Sequence, residues 1–129
     1  MENPSSGKSA LGLDANVASL LAYLPICAIN LIISIIIVVT DKTNKLARFH
    51  AFQSLLLIGV FVLLYVVLMV FGVAAAAANS GAIAMLVGLL YIVWLVGFLG
   101  INILGMIKGF QGQIFKLPVI GDMADKWSN

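Results

Sequence analysis

Two long blocks of the chain carry no charge. From Ala15 to Thr40 there is no Asp, Glu, Lys or Arg, and from Phe49 to Ile107 there is none either, with His50 neutral. A membrane-spanning helix needs about 20 apolar residues. The first block is one span long. The second runs for 59 residues, too many for one span and enough for two. It breaks at Asn79-Ser80-Gly81, where Gly permits positive φ and Asn and Ser bond back to the turn. The pattern predicts spans near 15–39, 52–78 and 82–107, the last two forming a tight antiparallel hairpin. Open strands are excluded, because lipid leaves their edge groups unpaired. The expected fold is all-α: an integral membrane protein with three transmembrane helices and a short C-terminal interfacial helix.

Details follow from single residues. Residues 1–13, rich in Ser, Gly and Pro, read as a disordered lead-in to a membrane domain over 14–108. Pro25 removes a backbone donor and predicts a kink near Leu21–Tyr23. Residues 15–39 are then one kinked span, or a surface helix followed by a shallow insertion. The stretch 26–39 alone is short for a span, which favours the kink. Asn30 lies deeper and needs a partner on another helix. Asn44 is placed to cap a helix starting at Lys45. A helix from 45 to 78 would be about 50 Å long, more than the roughly 30 Å hydrocarbon core, so its start belongs in the interface. In the third span Ala84 and Gly88 are four residues apart, as are Gly105 and Gly109. That spacing lets backbones approach closely. Together with Asn102 these faces read as internal packing or self-association surfaces. In the tail, 109–129, Ile120, Met123, Ala124 and Trp127 share one helical face and Asp122, Asp125 and Lys126 fall mainly on the other. This predicts a helix lying on the membrane surface with Trp127 as its anchor.

Composition agrees. The chain of 129 residues is 63% hydrophobic and 9% charged, with mean hydropathy +1.16, whereas soluble domains carry about 25% charge. The net charge of +2 comes with no Lys/Arg cluster, so a nucleic-acid partner is not expected; the bilayer is. The first 14 residues lack the basic segment of a cleaved signal. Cations orient the spans. Lys42, Lys45 and Arg48 precede span two, and Lys108, Lys116 and Lys126 follow span three, against Lys8 alone on the other side. This predicts the amino terminus outside, with the 40–51 loop and the tail in the cytoplasm. Cys27 is the only cysteine, so no intrachain disulfide or Cys/His metal spacing exists.

The segment KLARFHAFQSLLL, 45–57, holds the only histidine. His50, Gln53 and Ser54 fall at i, i+3, i+4, a polar stripe on an apolar helix. Phe49-His50-Ala51-x-Gln53-Ser54 at the start of a span, with Phe115-Lys116-Leu117-Pro118 after the last span, resembles the MamF/MmsF-like family of small bacterial membrane proteins, distantly related to the Tic-twenty component of chloroplast protein import. The resemblance covers roughly residues 11 to 126. It implies assembly rather than catalysis: magnetosome members self-associate and influence magnetite maturation, and related members are thought to organise membrane compartments or complexes. Carried over by position, Phe49, His50, Ala51, Gln53, Lys116, Leu117 and Pro118 become the candidate functional residues. Five acids, of which only Asp122 and Asp125 are close in sequence, do not make the oxygen-rich site that iron or mineral would want.

Three functions compete. The first is a non-enzymatic scaffold or accessory subunit in the cytoplasmic membrane of a prokaryote, working as a homo-oligomer or within a larger membrane complex. The second is a transporter, translocation or channel component, with Asn30, Ser34 and Asn102 lining an oligomeric pore; ion pathways usually need intramembrane ionisable groups, and spans two and three have none in their middles. The third is an enzyme, for which one His and one Cys with no acid near either, and Ser19 or Ser34 without an evident base, offer little. No catalytic residue, metal or cofactor is expected. His50 reads first as a hydrogen-bonding residue at the interface. As a pH switch it would change self-association between about pH 5.5 and 7.5.

Overall fold

The computed structural model describes residues 7–9, 12–24 and 29–129. Five helices follow in order: α1 Ala15–Leu21, α2 Ile29–Thr40, α3 Lys45–Ala77, α4 Gly81–Phe110 and α5 Ile120–Ser128. Two of them, α3 with 33 residues and α4 with 30, are long and apolar enough to cross a membrane. They contain the stretches 52–78 and 82–107 save for Ala78 at the turn.

Each end of the long hairpin is built by local chemistry. Asn44 caps α3 as its position suggested, its Oδ1 accepting the Ala47 amide at 3.2 Å. At the far end α3 closes in a Schellman turn: the Ser80 amide donates to the Ala75 carbonyl and the Asn79 amide to Ala76. Asn79 takes the left-handed conformation this requires, φ 52°, which Asn tolerates better than most residues. Ser80 then caps α4 through the Ile83 amide. The same turn ends α4, with Gly112 at φ 72° and the Gln113 amide on the Lys108 carbonyl.

The first apolar block departs from the expectation. It is not one spanning helix. Helix α1 stops at Leu21, and the Tyr23 and Leu24 amides close tight turns on Leu20 and Leu21. A residue before proline is pushed out of the α region, so Leu24 is a natural place for the helix to have ended. Pro25 and Cys27 themselves lie outside the described residues. Helix α2 then returns toward the end from which α1 came. Ser34 Oγ donates to the Ala22 carbonyl at 3.3 Å, and Ile37 packs in one cluster with Ala18, Ala47 and Ala51. Against α4, α1 runs antiparallel: Asn16 meets Phe110, Ser19 meets Gly109 and Tyr23 meets Gly105. Against α3, α2 runs from Asn30 beside Ile58 and Phe61 to Val38 beside Arg48. The pair is a helical hairpin that reaches halfway along α3 and comes back.

This moves the amino-terminal segment to the end that holds the 40–44 loop and the tail, not the opposite end as the charge pattern suggested. Nor are residues 7–9 and 12–14 a structureless lead-in. Lys8 and Asp14 form an isolated antiparallel β-bridge through their backbones, the Ser9 amide bonds the Leu13 carbonyl at 2.8 Å, and Gly7 lies against Asn44. With Lys8 relocated, all seven Lys and Arg residues gather at one end. The other end, at Asn79-Ser80, has no charge.

The small residues of α4 divide. A Cβ on Gly105 would lie 2.5 Å from the Tyr23 ring, and one on Gly109 would lie 2.9 Å from Ser19 Cβ. These two seat α1. Gly88 meets nothing within 4 Å, and Ala84 is exposed. Gly105→Leu should therefore lower stability by about 1–3 kcal/mol through overpacking, while Gly88→Leu should stay within about 0.5 kcal/mol of wild type. Thermal unfolding of the detergent-solubilised protein followed by tryptophan fluorescence measures both; equal effects would contradict the assigned packing.

Candidate functional site

The stretch Arg48–Ser54 is where the other elements meet. Helix α3 touches every other helix, and its first turns are buried: Phe49, His50, Ala51 and Gln53 have no exposed surface, and Ser54 only 1%. Each polar side chain there holds a piece of backbone that its own helix or loop leaves unpaired.

Gln53 does most. Its Nε2 donates to the Tyr23 hydroxyl at 2.8 Å and to the Phe115 carbonyl at 2.9 Å, and its Oε1 accepts the Leu117 amide at 3.0 Å. Residues 113–117 belong to no helix or strand. The carboxamide thus pairs with positions 115 and 117 as a neighbouring β-strand would. His50 stands beside it. Its Nε2 lies 2.8 Å from the Gln113 carbonyl and its Nδ1 3.1 Å from the Tyr23 hydroxyl. A carbonyl only accepts, so the proton sits on Nε2; Nδ1 then accepts from Tyr23, whose oxygen accepts from Gln53. All protons in the network are accounted for.

Ser54 donates to the Ala22 carbonyl, which Ser34 also reaches. The C-terminal carbonyl of α1 is so satisfied from α2 and α3. Arg48 does the same for two further helix ends. Its Nη1 reaches the Val38 and Asp41 carbonyls at the end of α2, and its Nε and Nη2 reach Ser128 and Trp127 at the end of α5. A cation at helix C-termini is also favoured by the dipoles. The guanidinium lies 5.4 Å from the Phe52 ring centroid, and Phe52 meets Trp127 edge-on at 6.0 Å. Sequence reasoning counted Arg48 only as a charge. Its signal was its place between two segments that both end helices nearby.

The tail is held from both sides. Lys116 pairs with Asp125 at 2.8 Å and Asp122 at 3.6 Å, and Lys45 pairs with Asp125 at 3.2 Å. The Lys116 hydrogen bond holds the Asp125 carboxyl below its ordinary range. Leu117 packs with Ile120 against Tyr23 and Leu57. Pro118 accepts the Ile120 amide at 2.7 Å, a γ-turn that forces Val119 to φ 65°, ψ −57°, a strained conformation for a β-branched residue. The inner face of α5 is Gly121, Ala124 and Ser128, with Ile120 partly buried. Of the apolar face expected, only Ile120 and Ala124 face the bundle; Met123 and Trp127 are 38% and 47% exposed.

The remaining candidates sit apart. Asn30 is buried at the turn-side end of α2, its Oδ1 on the Leu31 amide, within a 360 Å³ groove of Ile58, Phe61, Tyr65, Trp94 and Phe98. Asn102 is buried and donates to Phe98 of its own helix at 2.8 Å. Among the described residues no group of three or more His, Cys, Asp or Glu is assembled.

Helices of this length and exposure, closed by a polar clamp at one end, define a small multi-helix membrane protein. Comparison with known proteins places it further. Residues 13–124 match the model of the magnetosome magnetite crystal formation protein family, MamF/MmsF, and the chain belongs to that family. It is 35% identical to a UPF0132 membrane protein of Methanocaldococcus jannaschii, over 95% of this chain and 96% of the relative. A second UPF0132 membrane protein of that organism is 30% identical, over 92% of this chain and 73% of the relative. No solved structure matches. The two segments that carry the resemblance, 49–54 and 115–118, are bonded to each other.

Only about 20 residues of α3 fit the hydrocarbon core, and His50 precedes that part. Burial pushes its pKa from 6.5 down to about 4, against the opposing pull of the Gln113 carbonyl. The docked ring is therefore neutral from pH 5.5 to 7.5, the window in which a switch was expected. Because the folded pKa lies below the unfolded value, its contribution is complete above about pH 6.5 and declines as pH falls toward 4. An NMR titration of His50 should give a midpoint near 4, and His50→Gln should flatten the acid-side fall in unfolding temperature. Gln53→Met should leave the Leu117 amide and Phe115 carbonyl unpaired at about 1–3 kcal/mol each. Hydrogen exchange at Leu117 should accelerate accordingly; unchanged exchange would mean that Gln53 does not hold the tail.

Proposed function

We propose that this protein is a non-enzymatic structural component of a prokaryotic cytoplasmic membrane, which self-associates or serves a larger membrane complex through its charged end. One observation carries the reading. Among the described residues every buried polar side chain makes a hydrogen bond within the chain: Ser9, Ser19, Asn30, Ser34, Asp41, Asn44, His50, Gln53, Ser54, Asn102 and Ser128. Ser34, His50, Gln53 and Ser54 bond one element to another and the rest bond their own helix or turn, Asn16 Oδ1 being the one buried side-chain atom among the described residues with no partner, so the polar groups are left with little capacity for chemistry on a substrate. Assembly at the charged end is supported by its exposed apolar side chains, Phe110 at 56%, Val119 at 73% and Trp127 at 47%, rimmed by charge, as contact sites are.

In this reading α3 and α4 cross the bilayer, and the α1–α2 hairpin enters from the cytoplasmic face and returns to it. The gathering of all seven cations at that end supports the orientation. Cysteine labels replacing Lys8 and Lys126, in a Cys27→Ala background, should both be protected from an impermeant reagent in intact cells, and one replacing Ser80 should be reached. A label at position 8 that reacts from outside would return the chain to three crossings.

Photoreactive residues at Phe110 and Val119 should capture a second copy or another membrane protein in cells. Capture of lipid alone would remove the assembly reading. A probe at position 53 would report only the buried contact with 113–117.

A further inference from the structure

Helices are distributed unequally along the long hairpin. Beside the first half of α3 lie α1, α2, α5 and the closing half of α4. Beyond Phe61 the only buried residue of α3 is Ala75, and between Gly81 and Ile101 the only buried residue of α4 is Val87. Outside this zone the long helices pack on each other alone, through Tyr65, Tyr91 and Trp94 and through Gly72 on Val87. Helix α2, with 12 residues, is about 18 Å long, close to the roughly 15 Å depth of one hydrocarbon leaflet. Its deep end, at Asn30 and Leu31, lies level with Phe61 and Val62.

We propose that the protein is a membrane wedge that partitions into, and favours, curved bilayer with its charged end in the convex leaflet. The inference rests on the half-inserted α1–α2 hairpin described under the proposed function. Helices α2, α3 and α4 then cross the charged-end leaflet with α1 beside them at its outer edge, and only α3 and α4 cross the other. A helix with side chains is about 10 Å across, so the extra pair adds about 160 Å² to one leaflet only. Helix α5, docked on α3 at the headgroup level through Lys45–Asp125 and Arg48, adds area on the same side. Insertion confined to one leaflet is relieved by curvature that spreads that leaflet, which makes such proteins curvature-sensitive. Lipid chains cover the narrow half. Its surface is aliphatic and aromatic throughout, with Leu63, Phe71, Val93 and Val96 each more than half exposed, and it bears no charged group. In the orientation set by the cations, the convex leaflet is the cytoplasmic one, so the protein suits membrane that bulges into the cytoplasm.

The test uses the full chain, fluorescently labelled and reconstituted into giant vesicles from which thin membrane tubes are drawn. The readout is protein density on the tube relative to the vesicle, normalised to a lipid dye. Molecules with the charged end outward, identified by an external quencher at a label on position 126, should be enriched on the tube several-fold. Molecules with the charged end inward should be depleted. Equal density for both orientations overturns the wedge, and so does enrichment that ignores orientation. The cysteine labels at positions 8, 80 and 126, read in the same vesicles, separate the two failures. If position 8 lies with position 80, the half-inserted hairpin is wrong. If it lies with position 126 and sorting is absent, the hairpin stands and the wedge does not.

Discussion

Broken helix ends that the fold buries must find hydrogen-bond partners inside the protein, because a buried polar group left unpaired is costly. The rest of this structure depends on how that constraint is met. Splitting the first apolar block into α1 and α2 frees the carbonyl of Ala22, and the end of α2 frees those of Val38 and Asp41. Ending α4 before the 113–117 segment frees those of Gln113 and Phe115. The groups that answer come largely from two turns of one helix: Arg48, His50, Gln53 and Ser54. The polar stripe at the start of α3 is a set of caps for other elements. Tyr23 joins the caps to one another, and the apolar cluster of Ala22, Tyr23, Leu57 and Phe61 closes over them.

The packing around this clamp explains why small residues appear where they do. Helix α1 can lie against α4 only because Gly105 admits the Tyr23 ring and Gly109 admits Ser19. Gly121 plays the same part for the tail, where a Cβ would lie 2.5 Å from Lys116 Cα. The Ala84–Gly88 pair has the same spacing and no such neighbour. Spacing alone records that close approach is allowed. What approaches is decided by where the rest of the chain has been tied.

Much of the architecture was legible because it is local. The Asn44 cap, the Asn79-Ser80 turn and the tail helix after Pro118 are each written in a few adjacent residues, and the lengths of α3 and α4 follow from absence of charge. The reversal of α1 and α2 was not legible. Hydropathy measures how long a segment is and says nothing about its direction, so a hairpin of two short helices and one long kinked helix have the same profile. Pro25 marked an interruption, but the return depends on Ser34 and Ser54 meeting the Ala22 carbonyl, a contact across 12 and 32 residues. The misplacement of Lys8 followed directly. In the site, the two resemblance segments were found separately. Their contact was invisible because Gln53 bonds backbone atoms of residues 115 and 117, which carry no side-chain signature.

The span of that contact has a consequence for how the molecule is made. Gln53 leaves the ribosome 62 residues before Phe115 does. During that interval an imidazole, a phenol and a carboxamide stand ready with no tail to receive them. In the middle of a bilayer such a group of unpaired donors and acceptors would be costly to hold. At the headgroup level water can serve as a temporary partner and then leave when the tail segment arrives. The position of the clamp, at the wet edge of α3, is therefore suited to a structure whose closing segment is synthesised long after its receptor.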